Sequence, residues 1–426
     1  MIGLMDCNNF FVSCERLFRP DLAKRPVAVL SSNDGCIVAR SQEVKDLGIA
    51  MGVPYFEIKD LCKNEKITLF SSNFALYRDI SARVMSALKA EFDTCEIYSV
   101  DEAFFTLPEG TTAEDLANVR ARIIQKTGIP VSIGVAETKT LAKVANSIAK
   151  KRKADERLTM SLIEGVCILG EDEREECVKG ISCGSIWGIG RQTSAFLTKS
   201  GIRTVSELLA QDRAFIRQSL GVVGERLCME LSGIAVYKLG ESAEEEQESY
   251  TSTRSFSKPV SDKLTLMSAL GHHVSHVAEK LRHDGCVASK ITIVARASRF
   301  GTFAHREGSM SAVLSLPTND TFTLMTEVSK LLDILYDPEI PYKKAGVVAS
   351  GIEPEGVATG SLFESEHYKE KTSRLNIVTD ALNHKFGSGT VRHAVTLGDK
   401  KWKERKELKS PDYTTSWSEI ACIKAV

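Results

Sequence analysis

The sequence predicts an α+β chain of several domains, with two copies of a split βαβ plan and a helical stretch between them. Three observations predict it. The 426 residues exceed what one ordinary hydrophobic core serves, so two to four domains are expected. With a loop-rich insertion at 20–70 set aside, residues 1–136 read strand, helix, hairpin, helix, strand, the ferredoxin-like order. After an acidic stretch, the same order of elements recurs over 250–352.

The first strand is the apolar run 2–6, which ends on Asp6. A buried strand delivers a carboxylate to its end in this way. Phe10, Phe11 and Cys14 follow at helical spacing and read first as core. Within 20–70, short strands are expected at 27–31 and 36–39, joined by the turn signal Asn33-Asp-Gly35. Arg40 and Lys45 lie just beyond them. Ser72 or Asn73 can cap a helix reaching about residue 92, with an apolar face of Tyr77, Ile80, Val84 and Leu88.

Next comes Ile97-Tyr-Ser-Val-Asp-Glu-Ala-Phe-Phe-Thr-Leu107, two β-forming runs around an adjacent acidic pair. Alone, Asp101-Glu102 is a solvated turn as readily as a site. The split βαβ plan, however, brings the first strand beside this hairpin, so Asp6, Asp101 and Glu102 meet at one sheet edge. Gathered carboxylates need a cation, and hard oxygen ligands suit magnesium. Thr111 or Thr112 opens a helix, with Glu114 and Asp115 in capping-box position, that ends near Gly128; 130–136 is a strand.

Residues 138–153 read as a helix with a basic face, containing Lys139, Lys143 and Lys150 and no acid. Such a face is either solvated or part of a groove for nucleic acid. Ile186-Trp-Gly-Ile-Gly190 opens a helical stretch, and Gly188 and Gly190 leave backbone N–H groups free for a phosphate, as in a helix–hairpin–helix. By itself Gly-Ile-Gly is equally a plain turn. Residues 241–249 read as an acidic linker.

In the second α+β segment, strand alternation puts Lys290, Thr292 and Arg296 on one face and Ile291, Ile293 and Ala295 on the other. The first face suits a phosphate backbone. His272 and His276 have metal spacing but no carboxylate partner, so they read as solvated. Residues 372–386 are a further helix, and the tail is basic around 400–409.

Composition narrows the class. The chain is 43% hydrophobic and 26% charged, with a formal net charge of −1. No run is long and apolar enough for a membrane span, and no signal peptide is read. The 11 cysteines are scattered without a Cys-x-x-Cys pair, which argues against zinc and disulfides and for a reducing, cytoplasmic setting.

Taken together, the motifs resemble the Y-family DNA polymerases, in the branch of the UmuC-type enzymes. Met5-Asp-Cys-Asn-Asn-Phe-Phe-Val-Ser-Cys-Glu15 is similar to the family's opening motif, and Tyr98-Ser-Val-Asp-Glu-Ala-Phe104 to its acidic hairpin. Asn33-Asp-Gly-Cys-Ile-Val-Ala-Arg40 resembles the fingers motif of that branch. Gly134-Val-Ala-Glu-Thr-Lys-Thr-Leu-Ala-Lys-Val-Ala-Asn146, Trp187-Gly-Ile-Gly190 and Ser410-Pro-Asp-Tyr-Thr-Thr415 also fit, in the right order along nearly the whole chain.

The resemblance implies a right-hand polymerase. Its palm covers 1–20 and 71–167, the fingers 21–70, the thumb 168–240, a linker 241–249, the little finger 250–355 and a carboxy-terminal extension 356–426. It implies error-prone translesion synthesis in the SOS response, by nucleotidyl transfer with two Mg²⁺ ions on Asp6, Asp101, Glu102 and the Cys7 carbonyl. It further implies triphosphate contacts from Lys45, Lys150 and Arg40, a sugar gate at Phe11 with Phe10 beside it, and DNA contacts from Lys139, Lys143, Gly188, Gly190, Lys290 and Arg296. Implied partners are primer–template DNA, deoxynucleotides, a UmuD-type dimer, a RecA filament and a sliding clamp. For the clamp, Leu362 and Phe363 are kept, but Thr359 stands where relatives carry Gln. Competing readings are a metal-dependent cyclase or phosphodiesterase on a similar sheet, and a non-catalytic DNA-binding relative.

Overall fold

A computed structural model describes residues 1–150, 161–163, 165–240, 247–298, 303, 307–356, 366–398, 402 and 404–421. The chain divides into two compact units. The first comprises Met1–Ser31, Gly35–Glu244 and Leu408–Val426; the second comprises Ser32–Asp34 and Glu245–Glu407.

The first unit opens with β1 (Ile2–Cys7) and α1 (Phe10–Phe18), then β2 (Val27–Leu30), β3 (Ile37–Arg40), α2 (Gln42–Asp46), α3 (Tyr55–Asn64) and β4 (Thr68–Ser71). The chain continues through α4 (Phe74–Lys89), β5 (Cys95–Ile97), β6 (Glu102–Thr106), α5 (Ala113–Thr127), β7 (Val131–Ala136), α6 (Lys139–Ala149), β8 (Ser161–Ile163) and β9 (Val166–Ile168). Four helices follow: α7 (Glu171–Lys179), α8 (Arg191–Lys199), α9 (Val205–Leu209) and α10 (Arg213–Leu231).

The main sheet has the order β5-β6-β1-β7-β9-β8, with β1 antiparallel to both β6 and β7. The split βαβ plan therefore holds, and β8 and β9 extend it beyond what periodicity predicted. Strand β1 is covered on both faces, which is why it reads as a continuous apolar run. Met5 faces a core that includes Phe10, Tyr77, Ile80, Leu116 and Ile123. Leu4 and Phe104 face the other way, onto Leu141 of α6 and Leu197 of α8. On α4, Tyr77, Ile80, Val84 and Leu88 are all buried as their spacing predicts, and Asn73 caps the helix. Full burial of such side chains contributes about 1.5–3 kcal/mol each. Thr112 and Asp115 form the expected capping box, and Gly128 ends α5 at φ 71°.

Helix α6 departs from its reading as an exposed basic face, solvated or lining a groove. It is wedged between the sheet and the helices after β9, so Lys139, Thr140, Leu141, Ala142, Val144, Ala145 and Asn146 are all buried. A Cβ on Gly134 would overlap the Asn146 amide nitrogen, so glycine there lets α6 close on β7. Helix α6 ends at Ala149, and Lys151, Arg152 and Lys153 lie outside the described residues.

A second sheet, β3-β2-β4, carries its own small core of Ala28, Leu30, Ile37, Val44, Ile49 and Cys62. Strand β4 and helix α3 escaped the sequence reading because they lack clean periodicity. The tail returns to this unit at Leu408. Its amide donates to Ser71 Oγ at 3.0 Å, and its carbonyl accepts from the Ser71 amide at 3.0 Å. Asn73 Nδ2 donates to the Ser410 carbonyl (3.1 Å), Ser410 Oγ (3.1 Å) and the Pro411 carbonyl (3.2 Å). Tyr413 stacks on Phe18 at 4.5 Å.

The second unit runs β10 (Ser249–Val260), α11 (Lys263–His283), β11 (Cys286–Ala297), β12 (Glu307–Thr318), α12 (Thr321–Leu335), β13 (Tyr342–Pro354) and α13 (Glu366–Phe386). The order of elements repeats that of the first sheet, but the pairing does not. Strand order is β10-β13-β11-β12, so the last strand, and not the third, lies between the first two. Ile291, Ile293 and Ala295 are buried against α11 and α12 as alternation predicts. Lys290 and Arg296 are on the opposite face, with a Thr292–Ser311 hydroxyl pair at 2.8 Å between them. His272 and His276 are exposed, in line with their reading. His273 is buried with Nδ1 2.8 Å from Ser252 Oγ, and burial pulls its pKa down to about 3.

Candidate active site

The main sheet places Asp6 at the end of β1, directly across from Glu102 on β6. The Cys7 amide donates to the Asp101 carbonyl at 2.8 Å and fixes the hairpin against β1. Ser99 shapes the turn. Its Oγ donates to Asp101 Oδ1 at 2.7 Å and accepts from the amides of Asp101 (3.2 Å) and Glu102 (3.0 Å). Sequence reasoning passed over Ser99, although a serine two residues before an aspartate is a legible turn signal.

Both opposed carboxylates meet an ammonium group. Lys150 Nζ is 2.6 Å from Asp6 Oδ2, and Lys143 Nζ is 2.6 Å from Glu102 Oε2. Burial pushes Asp6 up to about 7 despite Lys150, and the Glu102 charge adds to that rise. Among the described residues no group of three or more His, Cys, Asp or Glu side chains is already gathered in a metal-binding geometry. The donor chemistry nevertheless fits a divalent cation. Two carboxyl groups share one sheet edge, and burial of Asp6 makes a positive charge beside it favourable.

Lys139 and Lys143 do not lie on an open surface as the helix reading expected. Lys139 is buried, with Nζ 2.7 Å from Glu96 Oε1. Lys143 lies over the Tyr98 ring at 4.6 Å and the Trp187 ring at 5.4 Å, while Trp187 Nε1 donates to Tyr98 OH at 3.0 Å. Their carboxylate partners are on β5 and β6, far away in sequence, so no local pattern announced them. Lys143→Ala is expected to lower unfolding stability by about 1–3 kcal/mol. That is below the ~3–5 kcal/mol for breaking a fully buried pair, because both side chains keep some exposure. The check is the urea midpoint, with Lys143→Arg recovering part of the loss.

Lys45 donates to Asn9 Oδ1 at 2.6 Å. Burial lowers its pKa, and the neighbouring charges of Arg40 and Lys150 lower it further. Arg40 and Lys150, the other two expected phosphate-holding cations, therefore both lie within electrostatic reach of Lys45, as does Asp6. Arg40, the last residue of β3, also donates to the Ile49 carbonyl in the loop after α2. Phe10 is buried, whereas Phe11 is half-buried. The Phe11 ring stacks on Tyr77 at 4.5 Å with 15° between planes. Tyr77 was read only as a core residue; its hydroxyl donates to Glu15 Oε1 at 2.6 Å.

Gly188 takes φ 90°, a conformation that favours glycine, and Gly190 precedes the first turn of α8. Arg296 lies 3.5 Å from Glu307, and Lys290 is exposed. Leu362 and Phe363 lie outside the described residues.

The likeness to known proteins agrees with this layout. A chimera of the Y-family DNA polymerases Dbh and Dpo4 superposes with a TM-score of 0.66 at 19% identity, covering 83% of this chain and all of that one. The fold is therefore that of a Y-family DNA polymerase. Residues 5–147 match the impB/mucB/samB family, 247–362 its C-terminal domain, and 373–423 a domain of unknown function. Protein UmuC of Salmonella typhimurium is 37% identical over the full length of both chains. DNA polymerase IV of Corynebacterium diphtheriae is 27% identical over 97% of this chain and 88% of its own. The chain belongs to the impB/mucB/samB family of Y-family polymerases.

Proposed function

We propose that the chain is a DNA-directed DNA polymerase that extends primers across damaged template bases, in the cytoplasm, with two Mg²⁺ ions. The observation that carries this is Asp6 opposite Glu102, with Asp101 beside it, at the end of the central strand. Family membership and the polymerase names of its relatives support it. Among the described residues no helix is long and apolar enough to cross a membrane.

Enzymes of this family work with divalent metal ions. Asp6, Asp101, Glu102 and the Cys7 carbonyl would hold them. Two such ions would supply the positive charge that stabilises the attacking and leaving oxygens of an in-line displacement. Lys45, Lys150 and Arg40 bind and orient the incoming triphosphate. In doing so Lys150 exchanges the Asp6 carboxylate for a phosphate oxygen, which frees the carboxylate as a ligand. Phe11 lies against the sugar and excludes a 2′-hydroxyl by volume, with Phe10 behind it.

Primer extension on undamaged and abasic templates tests the reading. Addition that depends on template and Mg²⁺ is expected, and nucleotide turnover without a template would favour a cyclase. A UmuD-type dimer, a RecA filament and a sliding clamp are the proposed partners, each tested by adding it to the same reaction.

The sheet face bearing Lys290 and Arg296 is proposed to follow the DNA backbone. Lys290→Ala and Arg296→Ala are each expected to weaken binding similarly on unrelated sequences and to reduce the log–log salt slope by about one. Lys143→Ala is expected to leave that slope unchanged, because its side chain is largely buried, paired with Glu102 and packed over the Tyr98 and Trp187 rings.

A further inference from the structure

The carboxy-terminal motif Ser410-Pro-Asp-Tyr-Thr-Thr415 lies in the segment matched only to a domain of unknown function. Nothing in the nucleotidyl-transfer chemistry uses it. In the fold, however, it reaches Glu15 on α1 and Asn73 at the start of α4. Ser410 Oγ donates to Glu15 Oε1 at 3.1 Å, on the same carboxylate oxygen that accepts from Tyr77 OH at 2.6 Å. Glu15 is fully buried, and Ser410 is nearly so.

The geometry links this contact to Phe11. Phe11 and Glu15 are four residues apart on α1 and so share one helix face. Tyr77 touches that face twice, with its ring on Phe11 and its hydroxyl on Glu15. The Tyr77 ring is the flat backstop against which Phe11 rests. The phenolic oxygen lies on the long axis of the ring, so holding it on Glu15 fixes the direction of that axis and with it where the ring lies against Phe11. Ser410 supplies the second hydrogen bond to the Glu15 oxygen, and Asn73 steadies Ser410 in turn. The tail thus ends a chain of contacts that runs Asn73, Ser410, Glu15, Tyr77, Phe11.

We infer that the carboxy-terminal segment helps to set sugar selection, with Ser410, Glu15 and Tyr77 acting as positioning residues for Phe11. This rests on the reading of Phe11 as the sugar gate. A stack that is allowed to tilt gives Phe11 room to yield to a 2′-hydroxyl. The effect therefore falls on the choice between ribonucleotide and deoxynucleotide, and addition as such is a separate matter. A tail that merely staples the fold would change stability and total activity without changing that choice.

The test uses full-length protein and single-nucleotide insertion opposite one template base, with kcat/KM measured for the ribonucleotide and for the matching deoxynucleotide. The ratio is taken within one preparation, so any fraction that fails to fold cancels. Tyr77→Phe keeps the ring and removes the hydroxyl, and Ser410→Ala removes the tail's donor. Each is expected to raise the ratio by about threefold, the size of effect that losing one ordinary hydrogen bond allows. In a Phe11→Ala background neither should add to the ratio, because the residue they position is gone. Melting temperature is recorded for every variant. If Phe11→Ala raises the ratio while Tyr77→Phe and Ser410→Ala leave it at the wild-type value, the inference is wrong, whatever the melting temperatures. If Phe11→Ala itself leaves the ratio unchanged, the gate reading fails and takes the inference with it.

Discussion

Asp101→Ala and Glu102→Ala are each expected to cut nucleotide addition by about a thousandfold or more, while primer–template binding stays near wild type. Loss of one ligand removes several kcal/mol of charge stabilisation from the transition state, and each ~1.4 kcal/mol is a factor of ten in rate. Glu102 faces Asp6 across the strand pair, so its removal also leaves Lys143 without its carboxylate. Asp101 differs in that Ser99 anchors it, so Ser99→Ala should give a milder version of the same defect. Primer extension at saturating Mg²⁺, with binding followed separately by fluorescence anisotropy, is the measurement. Near-normal extension by either alanine variant would exclude these carboxylates as metal ligands.

The second large effect is expected at Phe11. Phe11→Ala should raise ribonucleotide addition relative to deoxynucleotide addition by tenfold or more, since a ~1.4 kcal/mol change in discrimination is a factor of ten. The ring offers no hydrogen bond to a 2′-hydroxyl, so its only means of rejection is volume. Its stack on Tyr77 keeps that volume in place. Deoxynucleotide addition is expected to fall modestly through lost packing, and the metal site should stay intact. An unchanged ratio would return Phe11 to the role of a core aromatic.

Much of this was legible in the sequence where one local pattern fixed the outcome. The spacing of Tyr77, Ile80, Val84 and Leu88 gave the buried face of α4, and the Thr112 and Asp115 pair gave the start of α5. Asp6 and Glu102 could be brought together because the ferredoxin-like sheet order expected for these elements makes β1 the neighbour of β6, as it is. The second unit shows the limit of that argument. It has the same order of elements but a different strand order, because the helices alone do not decide which strand enters the middle. Charges were the other blind spot. Lys139 and Lys143 read as an exposed basic face, solvated or facing nucleic acid, because their partners, Glu96 and Glu102, lie 43 and 41 positions away. A lysine is buried where a carboxylate waits for it, and sequence spacing does not show where that is. Tyr77 is the same case with an aromatic: its spacing marked it as core, but its hydroxyl bond to Glu15 depends on a helix 62 positions away.

The returning tail has a consequence for how the protein is made. The hydrogen bond between Glu15 and Ser410 spans 395 positions, and every residue of the second unit lies between those two in sequence. At about 5–20 residues per second, a ribosome needs roughly 20–80 seconds to travel that far. Throughout that interval the amino-terminal sheet can fold while the Ser71 and Asn73 contacts wait for their partner. Closing so long a loop adds little entropy cost beyond that of a shorter one, because the cost grows only with the logarithm of length. The delay lies in synthesis and not in the search. A chain cut short by premature termination would therefore carry the carboxylates without the tail behind the Phe11 stack, and only a fully translated chain acquires both.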